Sequence, residues 1–144
     1  MHSPLFSLLQ VAQHRPLDLS AETPSTATGV PFDYSAIEAG TSELTTMAHN
    51  LGMIGTLAAE ACLQRDSIKL SKLEARAADL LDRAKFVPDG GSVNMVNART
   101  SAQAALMKAQ EGLQTCDPGT WMEMTTSLQT AGVALAAVSA KVTP

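Results

Sequence analysis

Aromatic side chains are scarce in this sequence. Phe6, Phe32, Tyr34, Phe86 and Trp121 are the only five in 144 residues. Alanine, leucine, threonine and serine take their place. Few β-branched and aromatic runs beside many alanines favour helix over sheet. No segment alternates strictly enough between apolar and polar residues to make a half-buried strand. Basic residues are also outnumbered, 10 against 14 acidic, for a formal net charge of −4. That field repels a polyphosphate backbone, so nucleic-acid binding is not expected.

Cysteine and histidine are few as well. Two cysteines do not make a disulfide scaffold, and Cys62 and Cys116 are expected as two buried free thiols. They fall near the ends of the first and third helices, at one pole of an up-down bundle. A disulfide is therefore not forbidden, provided those two helices are close neighbours. His2 and His14 lie in the N-terminal stretch. His49 has no glutamate three residues before it, so the Glu-x-x-His pairs of a carboxylate-bundle metal site are missing. The cysteines do not come in the close pairs of a zinc site. Asp89-Gly90-Gly91-Ser92 precedes a helix but lacks a following Lys-Ser/Thr, so it is a turn rather than a phosphate cradle. There is no nucleophile elbow. No catalytic, metal or cofactor-binding residues are expected, and no enzyme. The N-terminus has neither the positive start nor the long apolar run of a secretory signal. The chain therefore reads as cytoplasmic, unless it is exported by a route that uses no such signal.

What the sequence does contain is helical periodicity. Residues 1–34 stand apart as an irregular arm with Pro4, Pro16, Pro24 and Pro31. Within it Leu5, Leu8, Leu9 and Ala12 fall on one helical face, fit to fold back on the domain or to dock in a partner's groove. A bundle follows over 35–144, with helices near 35–64, 67–86, 92–115 and 118–142. Ser35 and Glu38 make a capping box for the first, whose stripe is Ile37, Leu44, Leu51 and Ala58. Gly52 and Gly55 sit inside it and mark a shallow strip.

The apolar frame slips near Gln64–Ser67, which points to a break capped by Asp66 or Ser67. The second helix buries Leu70, Leu73, Ala77, Leu80 and Ala84. It also carries the basic strip Arg65, Lys69, Lys72 and Arg76, read as a solvated face or a contact for an acidic partner. Pro88-Asp89-Gly90-Gly91 turns the chain, and Ser92 caps a third helix striped with Met95, Ala98, Ala102, Ala105, Ala109 and Gly112. Asp117-Pro118 starts the fourth, an N-cap carboxylate before a proline at the first helical position. Its stripe runs through Trp121, Met124, Leu128, Ala131, Leu135, Val138 and Val142. Not one charge falls between Met124 and Ala140, although Thr125, Thr126, Gln129 and Thr130 argue against a membrane span.

The expected fold is thus all-α, an up-down-up-down four-helix bundle with an irregular N-terminal arm. The first and fourth helices are expected to bury most and the second to be outermost. Met53 and Leu57 on the first helix, and Val133, Ala134, Ala137 and Ala140 on the fourth, are apolar beyond what one core needs. With Leu5, Leu8 and Leu9 they form the candidate partner interface. The expected function is that of a non-enzymatic interaction protein (adaptor, small chaperone or regulator) that self-associates as a homodimer. The alternative is a carrier of an apolar small molecule in the bundle core.

Overall fold

Side-chain oxygens decide where the helices of this chain begin. In the computed structural model, which describes residues 32–139, α1 spans Tyr34–Gln64, α2 Ser67–Ala84, α3 Val93–Thr115 and α4 Pro118–Ser139. No strand occurs among the described residues. Asp33 Oδ1 accepts the Ala36 amide at 3.1 Å, Asp66 Oδ1 the Lys69 amide at 3.1 Å, and Ser92 Oγ the Met95 amide at 3.2 Å. Each supplies a partner to an amide that the first helical turn leaves without one. Asp117 Oδ1 accepts from Gly119 at 3.1 Å, immediately ahead of Pro118. The start expected at Ser35 is corrected: Ser35 lies inside the helix, and Asp33, two residues earlier, is the cap. A carboxylate with an amide three positions on does the work assigned to the serine–glutamate pair.

The slip in apolar phase between α1 and α2 is a real break. Arg65 adopts a left-handed conformation at φ 52°, and the Asp66 amide donates back to the Ala61 carbonyl at 2.9 Å. This closes the last turn of α1 in the manner usually given to glycine. The chain re-enters a helix at once because Asp66 is itself the next cap. The two stretches are therefore separate helices and not one continuous helix.

The four apolar stripes bury together. Ile37, Leu51, Ile54, Met95, Leu106, Leu135 and Val138 are sealed from solvent. Around them stand Ala58, Ala77, Ala84, Ala98, Ala105 and Ala109, all fully buried. The helix at the centre is α3. It packs against α1, α2 and α4, whereas α1 and α4 meet only in passing. The first and fourth helices still bury much of the core, from Ile37 to Ala61 on α1 and from Met124 to Val138 on α4, as expected, but the packing converges on α3. The cause is the small-residue face of α3, which admits close neighbours on three sides. Its tightest point is Gly112, where a Cβ would stand 2.6 Å from Trp121 Cε2. The indole at the start of α4 lies directly on that glycine. As expected, α2 buries least, through Leu73, Ala77, Leu80 and Ala84.

The N-terminal ends of α1 and α3 are held at one pole by the loop between α2 and α3. Gly90 has φ +59° and its carbonyl accepts the Asp33 amide at 3.0 Å. A side chain there would meet the Asp33 carbonyl and Ile37. Arg99 braces the same loop, donating to the Val87 carbonyl at 2.8 Å and pairing with Asp89 at 3.3 Å.

At the opposite pole Cys62 and Cys116 form a disulfide, with their Cα atoms 5.8 Å apart. The expectation of two buried free thiols is corrected: the thiols are joined and only half-buried. The condition for the bridge, that α1 and α3 be neighbours, is met because α3 is central. Closing a loop this long removes about 4 kcal/mol of freedom from the unfolded chain in the entropic account. That is a large contribution to a core built on alanine, whose side chains bury little area each.

Between α3 and α4, Lys108 reaches Glu123 at 2.6 Å and Glu111 at 3.3 Å. The hydrogen bond to Glu123, and then that to Glu111, hold the ammonium above its ordinary range. Because the folded value is the raised one, this contact is fully present at neutral pH and is lost only as pH climbs past it.

Candidate interaction surface

On α1 no charged residue occurs between Glu43 and Glu60, and on α4 none follows Glu123 among the described residues. Each helix turns its stripe to the core, so its opposite face is both outward and uncharged. On α1 that face carries Met53, 51% exposed, and Leu57. On α4 it carries Val133, 61% exposed, and Ala137, while Met122, 71% exposed, stands at the start of the same strip beside Glu123. Met122, Val133 and Ala137 fall 11 and 4 residues apart, close to whole helical turns, and so share one strip.

The polar groups on these faces are mostly threonines, and their hydroxyls are already bonded within the helix. On α1, Thr45, Thr46 and Thr56 donate to the carbonyls of Thr41, Ser42 and Gly52. On α4, Thr125, Thr126 and Thr130 donate to those of Trp121, Met122 and Thr126. All six bonds measure between 2.8 and 3.1 Å. A hydroxyl paired to the carbonyl four residues back needs no water, so covering it strands no donor. These surfaces are therefore less polar than their composition implies. By composition the threonines are only polar; the i to i−4 geometry open to Thr in a helix is the signal in the sequence that points the other way.

Two concavities flank α1. The larger, about 580 Å³, lies at the disulfide pole between Gly55, Ala59 and Leu63 on one side and Pro118 and Trp121 on the other. Both cysteines form part of its wall. At Gly55, which lines it, a Cβ would come only within 4.0 Å of Met124 Cε, so α1 and α4 leave room between them there. Leu63, 86% exposed, stands at its rim. Cys116 and Trp121 share this wall, with the Cys116 sulfur committed to Cys62. The smaller concavity, about 410 Å³, runs along His49, Gly52, Met53, Thr56 and Leu57.

The structure therefore divides the candidate interface. Met53 and Leu57 share the smaller concavity, together with the glycine strip at Gly52. Val133 and Ala137 face outward but line neither concavity, and Ala134 turns partly into the core. Ala140, Leu5, Leu8 and Leu9 lie outside the described residues. Met122 and Leu63 belong to the exposed apolar surface and were missed, because each stands beside a helix start or end rather than within a periodic stripe. The basic strip Arg65, Lys69, Lys72 and Arg76 is exposed along its length. No described helix is long and apolar enough to cross a membrane. Among the described residues no three His, Cys, Asp or Glu side chains gather as a metal-binding group.

Comparison with protein-family models, with curated proteins and with solved structures finds no match to this chain.

Proposed function

We propose that this chain is a non-enzymatic helical interaction protein, an adaptor, small chaperone or regulator, whose contact surface is the pair of uncharged outer faces on α1 and α4. The observation that carries this reading is the self-satisfied threonine lattice around Met53, Met122 and Val133. It makes a surface that loses little on leaving water and gains the burial of methionine and valine. A second copy of the chain is the partner: both faces are uncharged, so they meet one another without charge repulsion, and a twofold contact uses each twice. In the protomer the helices alternate in direction, up-down-up-down, which agrees with α1 and α3 being tied together at both poles.

Light scattering on the full chain at rising concentration tests the reading. The expected mass is that of a dimer. Replacing Met53 and Val133 by glutamate, both at exposed sites, returns it to a monomer while the far-ultraviolet helical signal stays unchanged. A monomer at every concentration in the unmodified protein sinks the proposal.

A second reading is favoured by one feature, the pocket at the disulfide pole. Its apolar wall with Trp121 fits a small apolar molecule, which moves the carrier function from the bundle core to its end. Titration of apolar probes against Trp121 fluorescence separates the two readings, since dimerisation through Met53 and Val133 leaves that indole in place.

A further inference from the structure

Cys116 caps α3 in the left-handed region at φ 55°. A side chain is disfavoured in that conformation, and glycine is the residue that enters it freely. A cysteine held there serves the bond its sulfur makes to Cys62. Cys62 in turn sits in the last turn of α1, immediately before the chain leaves the helix at Arg65. α1 meets α4 only in passing, so its end here is held by α2 and α3 alone. The bridge ties the end of α1 covalently to the end of α3. Neither sulfur-bearing residue is sealed, and both face the open pocket beside Trp121. Thiol reductants of a cytosol reach such a bond, and exposed disulfides are kept reduced there.

We infer that the chain matures and works in an oxidising compartment outside the cytosol, with Cys62–Cys116 formed as a permanent brace of this pole. The two thiols give up two electrons and two protons to the disulfide of a thiol–disulfide oxidoreductase, which leaves as its dithiol while the Cys62–Cys116 bond forms. This departs from the cytoplasmic expectation and follows the alternative of export.

The test uses the full chain in its own cells. Cells are quenched in acid and alkylated with N-ethylmaleimide, and the intact mass is read before and after reduction. The expected result is no adduct before reduction and two after it, in a fraction outside the cytosol. Two adducts without reduction, or oxidised chain recovered with the cytosol, overturns the inference. The brace is read separately by thermal unfolding. Reduction is expected to lower the midpoint by about 10–20 °C, and the double variant Cys62→Ser, Cys116→Ser to match the reduced protein. Should the variant fail to fold, the reduced unmodified protein gives the same readout. Equal midpoints with and without the bond overturn the bracing role.

Discussion

Gly112 and Trp121 form the contact on which the α3–α4 junction depends. A Cβ at position 112 would press the indole at 2.6 Å and 2.9 Å, from Cε2 and Nε1. Gly112→Ala gains up to about 1 kcal/mol of helix propensity but overpacks a site with little room, at about 1–3 kcal/mol. The expected outcome is net destabilisation of about 1–2 kcal/mol with a shifted Trp121 emission, checked by urea unfolding followed by fluorescence. Arg65 lies on the other side of the ledger of backbone strain. Its φ of 52° suits glycine, so Arg65→Gly is expected to stabilise by up to about 1 kcal/mol, again by urea midpoint. Neither residue stood out in the sequence. Gly112 was one member of a small-residue stripe, and nothing local says that an aromatic ring will lie on it. Arg65 marked the end of a phase, yet no glycine or asparagine announced the left-handed turn.

At the scale of the helices, starts were more legible than ends. Asp117-Pro118 and Ser92 act as caps where the sequence placed them, and Asp66 rather than Ser67 caps α2, because an oxygen before a periodic apolar run leaves few alternatives. The first helix was misread by two residues: Ser35–Glu38 and Asp33–Ala36 offer the same spacing, and a carboxylate won over a hydroxyl. Asp66→Ala is expected to cost about 1 kcal/mol and to fray the first turn of α2, seen as faster amide exchange at Lys69. The buried stripes were legible because period alone fixes which face turns inward. Their partners were not. That α3 occupies the centre depends on how closely alanine faces approach, a pairwise property that periodicity in one helix does not contain. The threonine lattice belongs to this scale too. Its hydroxyls bond within their own helices, and only then do the outer faces of α1 and α4 become surfaces fit to be covered.

For the whole molecule, the central claim is that these two outer faces are covered by a second copy of the chain. Of the residues proposed for that contact, Met53, Leu57, Val133 and Ala137 are exposed, while Ala134 is turned toward the core. Three exposed methionines make the test direct: Met53 on α1, Met122 on α4 and Met107 on α3, which are 51%, 71% and 58% exposed in the single chain. Their rates of oxidation by hydroxyl radicals, read by mass spectrometry across a range of protein concentrations, report which faces are covered in solution. Met53 and Met122 are predicted to become protected together as concentration rises while Met107 keeps reacting. Equal reactivity of all three at every concentration would contradict the account.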